Sequence, residues 1–353
     1  MNKIRLAVIF GGKSSEYSVS LHSAGSAIRA LDLNKYDITF VGITEEGDWY
    51  LYEGDVDAIE HDHWLSGNVT PVTINLGKEK GLVKLGKDGS ELIEIDCVLP
   101  ILHGPNGEDG TLQGLLELCA IPYVGCNHLS SAMSMDKDIT HIICKNANIL
   151  MADYVCAYNS EHLDINELFK EVCDKLKFPV FVKPANAGSS YGISKIDNNY
   201  VSFKEAIEFA FKYDKKVIIE TGIDGFEVGC AVMGNDYDNL TVGEVDEIDT
   251  KNSFFDFEAK YALENTEIVC PARLSTQKSD EIKNNARIIY KAMQCSGLAR
   301  IDMFVDKNET VYFNELNTIP GMTATSRYPS MMKAIDMDFT SLLDNLIELA
   351  MSK

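Results

Sequence analysis

An alternation of polar and apolar residues runs through two neighbouring stretches, Ala299-Arg300-Ile301-Asp302-Met303-Phe304-Val305 and Val311-Tyr312-Phe313-Asn314-Glu315-Leu316-Asn317. Period-two alternation predicts β-strands, and the polar residues 306–309 between them predict the turn of a hairpin. With a four-residue loop, the antiparallel register places four polar side chains on one face of the sheet, those of Arg300, Asp302, Glu315 and Asn317. An odd loop length or a bulge breaks that register.

Two carboxylates, an amide oxygen and a guanidinium on a dry sheet face are costly to bury without partners. A hard cation such as Mg²⁺, carrying phosphate, satisfies such a set of oxygen ligands. The alternative is an exposed hairpin whose charges are solvated. The spacing of these residues alone does not decide between a metal site and a surface hairpin.

Composition restricts the classes of function. The chain has 353 residues and a formal net charge of −22. This length favours two or three domains, and the acidic balance argues against a nucleic-acid partner. No uncharged apolar run approaches the ~18 residues that cross a bilayer. The nine cysteines form no CxxC pair, which is typical of reduced thiols. We therefore expect a cytoplasmic protein without membrane or nucleic-acid partners.

The first third of the chain alternates between strand and helix patterns. Short apolar runs at 6–10, 38–43, 97–102 and 121–125 predict buried strands, and helical spacing appears at 20–31 and 112–119. This order predicts a doubly wound parallel sheet, which binds ligands outside the carboxyl ends of its strands. Glu16 and His103 follow two of these strands closely, so we expect both on that rim.

The middle of the chain contains a possible phosphate-binding loop. Helical patterns at 130–146 and 165–176 precede a predicted strand at 178–183, which ends in Lys183 and leads into a loop containing Gly188 and Gly192. Backbone N–H groups and a lysine in such a loop can bind phosphate. The order is not that of a P-loop, and a plain turn is the alternative. Predicted strands follow at 217–220 and 226–233, then a long acidic and aromatic loop at 246–261.

Eight short motifs, in order along residues 11–329, carry a resemblance to the D-alanine–D-alanine ligase family of ATP-grasp enzymes. They are Gly11-Gly12-Lys13-Ser14-Ser15-Glu16, His103-Gly104-Pro105-Asn106-Gly107-Glu108-Asp109-Gly110, Met135-Asp136-Lys137, Lys183-Pro184 with Gly188-Ser189-Ser190, Glu227, Glu258-Ala259-Lys260-Tyr261, Arg300-Ile301-Asp302, and Glu315-Leu316-Asn317-Thr318 with Pro320-Gly321.

The resemblance implies an α/β fold with three domains, in which a Rossmann-like domain and two α+β domains enclose the nucleotide. The implied boundaries are 1–125 for the N-terminal domain with the first-substrate site, 126–215 for the central ATP-grasp subdomain, and 216–353 for the C-terminal catalytic domain with a closing loop at 246–261. It also implies ATP, two Mg²⁺ or Mn²⁺ ions and a homodimer. The implied reaction phosphorylates the carboxylate of D-alanine, and the amine of a second D-amino acid then attacks the acyl phosphate.

The resemblance assigns roles residue by residue. The implied metal ligands are Asp302, Glu315 and Asn317. The implied nucleotide contacts are Lys137, Lys183, Ser189, Ser190, Glu220 (adenine), Glu227 (ribose), Lys260, Asn314 and Glu315. The implied catalytic groups are Glu16, Ser189, Tyr261, Arg300 and Gly321, of which Arg300 and the N–H of Gly321 stabilise the tetrahedral oxyanion. The implied substrate contacts are Glu16, His103, Arg300, Gly321, Ser326 and Arg327.

The subtype is indicated by departures from the common pattern. Tyr17, Phe254-Phe255-Asp256-Phe257 and Arg327-Tyr328-Pro329 resemble the G-type D-alanine–D-serine ligases of glycopeptide resistance. They imply D-alanyl-D-serine for altered peptidoglycan precursors, with a housekeeping D-alanine–D-alanine ligase as the alternative. Lys260-Tyr261 is intact and 246–261 contains no histidine, which disfavours D-lactate. A non-catalytic nucleotide-binding regulatory protein and a ligase for an unrelated carboxylate are less favoured, because the implied site residues are all present.

Overall fold

The structure is a computed structural model that describes residues 3–87, 89–188, 191–250 and 266–353. Its strands form three sheets of seven, four and five strands. This arrangement confirms the α/β fold class expected from the sequence. Among the described residues, no helix is both long and apolar enough to cross a membrane.

The N-terminal sheet contains the predicted parallel strands, and four further strands make it mixed rather than wholly parallel. Its strands, in the spatial order β6-β5-β4-β3-β2-β1-β7, are β1 (Ile4–Gly11), β2 (Tyr36–Ile43), β3 (Trp49–Glu53), β4 (Asn68–Ile74), β5 (Gly81–Gly86), β6 (Gly89–Glu94) and β7 (Cys97–Ile101). Only β2, β1 and β7 are parallel. The other four strands form an antiparallel extension that the sequence analysis did not predict.

The helices of this part follow the predicted positions. Helices α1 (Tyr17–Ala30) and α3 (Thr111–Leu118) occupy the two expected segments, and a short α2 (Val56–Glu60) lies between them in sequence. The strand expected at 121–125 is reduced to a single bridge between Val98 and Tyr123. Glu16 follows β1 and His103 follows β7, so both residues lie on the rim at the ends of these strands, as predicted.

The helix expected at 130–146 is two helices. They are α4 (His128–Met135) and α5 (Lys137–Asn146), and Asp136 separates them in an extended conformation. The Asp136 carboxylate accepts hydrogen bonds from the backbone N–H groups of Asp138 and Ile139, which is the function of an N-cap. Because of this cap, α5 begins at Lys137, a predicted phosphate ligand.

The central sheet is antiparallel, with the order β10-β9-β11-β8. Its strands are β8 (Tyr154–Tyr158), β9 (Val180–Pro184), β10 (Ser194–Ile196) and β11 (Lys216–Thr221), and its helices are α6 (Ile165–Lys175) and α7 (Tyr200–Ala210). Strand β11 pairs with β9 and β8. It therefore belongs to this sheet, although the expected boundary at residue 216 placed it with the C-terminal segment. The domain boundaries themselves stay a prediction.

The C-terminal sheet carries most of the predicted site. Its strands are β12 (Gly225–Gly234), β13 (Thr241–Thr250), β14 (Thr266–Val269), β15 (Gly297–Asp306) and β16 (Val311–Asn317), in the order β14-β13-β12-β15-β16. Residues 246–250 continue β13, so the predicted closing loop cannot begin at 246, and residues 251–265 lie outside the described chain.

Three helices complete the C-terminal part as far as the structure describes it. Helix α8 (Thr276–Ala292) packs on one face of the five-stranded sheet. Helix α9 (Arg327–Lys333) packs on the opposite face, and α10 (Phe339–Met351) extends to the N-terminal sheet. The face covered by α9 is the face that carries Arg300 and Asp302.

The register of the β15–β16 hairpin results from two irregularities that compensate for each other. Val305 pairs with Val311, so the loop has an odd length, residues 306–310, rather than the expected four residues. Phe313 pairs with Met303, but Glu315 pairs with Asp302, so Asn314 is an extra residue in β16. This bulge restores the alignment of Asp302 with Glu315 and of Arg300 with Asn317. The common polar face forms as predicted, although by a different route.

Candidate active site

The polar face of the C-terminal sheet is centred on Asp302, which is fully buried. Arg300 donates to both oxygens of this carboxylate, through Nε at 2.9 and 3.1 Å and through Nη2 at 2.8 Å. The amide Nδ2 of Asn317 donates to Asp302 Oδ2 at 2.9 Å. These donors stabilise the charge of Asp302, because a buried carboxylate without hydrogen-bond donors would be strongly disfavoured. We call Arg300, Asp302, Glu315 and Asn317 the floor of the site.

A cleft lies beside the floor, and Glu315 and Asn317 form part of its lining. The bulge leaves the neighbouring residues Asn314 and Glu315 both half-buried, and both line the cleft. Its lining comes from the floor hairpin, the α4–α5 junction, the Gly-rich loop and the loop after β7, namely Glu108, Ser134, Met135, Lys137, Thr140, Ala187, Gly188, Asn314, Glu315, Leu316, Asn317 and Thr318. The structure thus brings together residues from four of the motifs.

Lys137 lines the cleft, and a buried charged cluster next to it contains a second lysine, Lys183. Lys137 donates through Nζ to the carbonyl oxygen of Ala187 at 2.8 Å. Lys183, at the end of β9, forms an ion pair with Glu220 of β11. Burial opposes the charge of Glu220, but Lys183, His141 and Lys137 outweigh burial and lower the pKa of this carboxyl. We call Lys137, His141, Lys183 and Glu220 the wall.

His141 belongs to the wall and was missed by the sequence analysis. Its ring is 1% exposed and packs edge-on against Tyr154, with ring centroids 4.8 Å apart. Its Nε2 lies 3.2 Å from Glu220 Oε1, and within the described chain neither ring nitrogen makes an aligned hydrogen bond. Burial lowers the pKa of His141. Its position four residues after Lys137 on α5 is the signal that could have identified it.

The N-terminal rim meets the Gly-rich loop at Glu16, which is buried. A Cβ atom at Gly104 would lie 2.5 Å from Glu16 Oε2, and one at Gly188 would lie 2.9 Å from it. The carboxylate therefore lies against the backbone of both loops, and a side chain at either glycine would displace it. Ser189 and Ser190 follow directly but lie outside the described residues, as do Lys260 and Tyr261.

His103 lies beside Glu16 on the same rim. It is buried, and its Nδ1 is 3.8 Å from Glu108 Oε1. Burial opposes the charged imidazolium, but the carboxylates of Glu108 and Glu16 and the carbonyl group of Ile319 outweigh it, so the pKa of His103 is raised. A protonated His103 can donate to a substrate carboxylate.

Gly321 and Ser326 lie together at the end of the floor. A Cβ atom at Gly321 would be 3.1 Å from Ser326 Oγ. This hydroxyl accepts from the backbone N–H of Thr323 at 3.1 Å and lies 2.8 Å from Thr323 Oγ1. The next residue, Arg327, points into the sheet, and all three of its guanidinium nitrogens donate to carboxylates of Asp246 and Glu227. The substrate-binding roles of Ser326 and Arg327 stay predictions.

Tyr17, one of the residues that suggested the subtype, points into the N-terminal core. It is 7% exposed. Its hydroxyl donates to Asp62 at 3.0 Å and accepts from Trp64 Nε1 at 2.9 Å. With the hydroxyl engaged on both sides, we do not expect Tyr17 to distinguish second substrates by direct contact.

The floor fits a divalent metal by the chemistry of its donors. Asp302, Glu315 and Asn317 offer carboxylate and amide oxygens, the ligands that Mg²⁺ prefers. Asn317 directs its NH₂ group to Asp302, so its oxygen is turned away from that carboxylate. Among the described residues, no cluster of three His, Cys, Asp or Glu side chains is arranged to hold a metal ion. The expected site has only two carboxylates, so its third protein ligand has to be the amide.

The floor, the wall and the N-terminal rim fit the class of ATP-dependent carboxylate-activating ligases. Family models described as D-ala D-ala ligase N-terminus and D-ala D-ala ligase C-terminus match residues 5–126 and 143–348. A curated D-alanine–D-alanine ligase of Thermoanaerobacter sp. (strain X514) is 44% identical over 99% of this chain and 97% of that protein.

Solved structures indicate the same family. The VanG D-Ala:D-Ser ligase from Enterococcus faecalis is 44% identical with a TM-score of 0.89, covering 99% of this chain and 100% of that one. The D-alanine–D-alanine ligase from Coxiella burnetii is 33% identical with a TM-score of 0.88, covering 100% and 95%. The chain belongs to the D-alanine–D-alanine ligase family of ATP-dependent enzymes. The expected preference for D-serine is not confirmed, and the names of the curated relatives favour D-alanine.

Proposed function

We propose that this protein joins two D-alanine molecules in an ATP-dependent reaction for peptidoglycan synthesis. The observation that carries the proposal is the cleft in which Glu315 and Asn317 of the floor face Lys137 of the wall. Carboxylate and amide oxygens on one side and a lysine on the other suit a nucleotide phosphate with its metal. The similarity to curated D-alanine–D-alanine ligases supports the choice of second substrate.

In this proposal the wall binds ATP. Lys137 and Lys183 bind phosphate oxygens, Glu220 accepts from the adenine amino group, and Glu227 accepts from the ribose. Two ions of Mg²⁺ or Mn²⁺, held by Asp302, Glu315 and Asn317, would neutralise charge on the transferred phosphoryl group. Ser189, Ser190, Lys260 and Asn314 complete the proposed nucleotide contacts. Lys183 has to exchange its ion pair with Glu220 for phosphate, which a single flexible ammonium can do.

The rim and the end of the floor act on the amino acids. Glu16 binds the ammonium group of the first D-alanine, and His103 orients its carboxylate. When the second amine attacks the acyl phosphate, Arg300 and the N–H of Gly321 stabilise the oxyanion. Asp302 holds the Arg300 guanidinium in place through two nitrogens. Ser326 and Arg327 lie next to the proposed second-substrate position, and Tyr261 and Ser189 would close the site against water.

The test is a turnover assay with the purified protein, ATP, Mg²⁺ and D-alanine as the only amino acid. We expect ADP, phosphate and D-alanyl-D-alanine, with dipeptide identified by mass. Absence of ADP release under these conditions would refute the enzymatic proposal and favour a nucleotide-binding regulatory role. L-alanine in place of D-alanine is the matched control, and it should give no dipeptide.

D-Serine is the second candidate for the second substrate. It is favoured by the similarity to the VanG D-Ala:D-Ser ligase and by the segment Phe254-Phe255-Asp256. Equal concentrations of D-alanine and D-serine, followed by mass analysis of the products across pH, separate the two candidates. A majority of D-alanyl-D-serine would establish the serine subtype, with its connection to vancomycin resistance. A majority of D-alanyl-D-alanine would establish the housekeeping activity.

A further inference from the structure

We propose that Arg327 is a positioning residue that fixes Glu227 and Asp302 in one rigid frame. This inference rests on the proposed function, in which Glu227 binds the ribose and Asp302 binds metal. The sequence pattern suggested instead that Arg327 contacts the second substrate. Its position in the structure assigns it to the carboxylates of the nucleotide and metal sites.

The contacts of the guanidinium carry the inference. Nε and Nη2 of Arg327 donate to the two oxygens of Asp246, each at 2.8 Å, which is a bidentate pair. Nη1 donates to Glu227 Oε1 at 2.6 Å and lies 3.4 Å from Asp302 Oδ1. A single nitrogen therefore spans the carboxylates predicted for ribose and for metal. The Arg327 side chain is 9% exposed and that of Asp246 is 0% exposed.

The sheet has a gap that accommodates this guanidinium. Gly229 of β12 pairs with Asp246 on one side and with Asp302 on the other, so the three residues form a row across the sheet. A Cβ atom at Gly229 would lie 2.4 Å from Arg327 Nη2 and 2.8 Å from Asp246 Oδ1. The absence of a side chain at Gly229 leaves the space that the guanidinium and the Asp246 carboxylate occupy.

Arginine is required for this function by its geometry. A planar guanidinium can donate in three fixed directions, whereas an ammonium is a point charge on a flexible stem. Asp246 anchors the plane of the guanidinium, and the remaining nitrogen then reaches Glu227 and Asp302. Groups that orient metal ligands from behind typically change metal affinity or activity about 10- to 100-fold when they are removed.

The decisive variant replaces the buried pair together, as Asp246→Leu with Arg327→Met. Removal of one member alone would leave an uncompensated buried charge, whereas the double replacement removes one charge of each sign. We expect the KM for ATP and the Mg²⁺ concentration for half-maximal rate to rise roughly 10-fold. The KM for the first D-alanine should stay unchanged, because Glu16 and His103 lie on the N-terminal rim.

Arg273→Met is the matched control. Arg273 pairs with Glu247 and Asp249, which lie on the opposite face of the same strand as Asp246, and its side chain is 60% exposed. We expect this variant to retain the wild-type KM for ATP. Arg327→Lys keeps the positive charge but lacks the planar guanidinium. We expect it to raise the KM for ATP and the Mg²⁺ concentration for half-maximal rate by intermediate amounts.

The outcomes separate the inference from the proposed function. If the folded double variant still makes dipeptide with wild-type KM for ATP and wild-type Mg²⁺ dependence, the positioning role is overturned and the ligase activity stands. If wild-type protein makes no dipeptide, the proposed function fails. The affinities of the same variants for Mn²⁺ and ADP then still test whether Arg327 positions Glu227 and Asp302. If the double variant does not fold, wild-type values for Arg327→Lys in both measurements overturn the inference.

Discussion

The floor and the wall of the cleft hold their cations in different ways. On the floor and behind it, Arg300 and Arg327 each bind carboxylates through two or three nitrogens at fixed angles. On the wall, the ammonium groups of Lys137 and Lys183 contact the carbonyl oxygen of Ala187 and the carboxylate of Glu220, respectively. Arginine forks suit groups that stay in place during a reaction, and lysines suit groups that exchange one anion for another. The comparison predicts that changes in the floor reduce the chemical rate and that changes in the wall reduce nucleotide affinity.

Glu315→Gln is expected to have the largest effect. It keeps the size of the side chain but removes a charge from the proposed metal site, and metal-ion catalysis is worth several kcal/mol. The rate should fall by about 10³-fold or more, measured as ADP release at saturating substrates. Glu309→Gln, on the exposed turn of the same hairpin, is the control. Near-normal turnover by Glu315→Gln would refute the metal assignment.

Lys183→Met tests the wall and should have the next largest effect. We expect the KM for ATP to rise roughly 10- to 100-fold with a smaller change in the maximal rate, because the variant removes one charge-assisted phosphate contact. Thermal stability should fall as well, since buried Glu220 loses its ion-pair partner. Calorimetric titration with ADP measures the affinity directly. The exposed Lys195→Met on the adjacent strand β10 serves as control, and an equal ADP affinity in both variants would contradict the wall assignment.

The smallest predicted effect concerns pH and the two buried histidines, one on each side of the site. The pKa of His141 is lowered in the folded protein. At a pH below the ordinary pKa of histidine, the unfolded chain therefore binds a proton that the folded chain does not. Its contribution to stability is therefore complete at higher pH and is lost as the pH falls. The raised pKa of His103 has the opposite sign, so its contribution is complete at low pH and is lost as the pH rises through that pKa.

Urea unfolding between pH 5.5 and 8 would measure both effects. His141→Phe keeps the aromatic packing and should remove the loss of stability at low pH. His103→Gln should remove the loss of stability at high pH. His162→Gln, an exposed histidine, should leave the curve as in the wild type. A parallel shift of the whole curve in either test variant would show that packing, rather than titration, determines the difference.

The sequence predicted the parts of the site whose signal is local. Period-two alternation predicts the hairpin, which the structure contains, and the strand pattern places Glu16, His103 and Lys183 at or near strand ends, as found. The roles of these three residues stay predictions. The mixed extension of the N-terminal sheet was missed, because residues 49–94 are rich in polar residues and half-exposed strands. Asp246 was assigned to a loop because its stretch is acidic, although it lies in β13 and pairs with Gly229.

Non-local features could not be obtained from the sequence. The bulge at Asn314 and the five-residue turn are each irregular, and neither leaves a distinct pattern of its own. The direction of Arg327 depends on a gap that forms only when β12, β13 and β15 align side by side. Sequence spacing predicts which side chains share a face, but the partner of a buried charge depends on the alignment of strands that are far apart in the chain.

The position of the last helix determines how the molecule can move. Leu342, Leu343, Leu346 and Ile347 of α10 lie in one hydrophobic cluster with residues of β1 and α1, so the first and last segments of the chain share a core. The four-stranded sheet has a separate core made of residues 155–219. We therefore expect the cleft to open with the least loss of buried apolar area when this sheet, with Lys183 and Glu220, moves relative to the other two sheets. The N-terminal rim and the floor should then stay together.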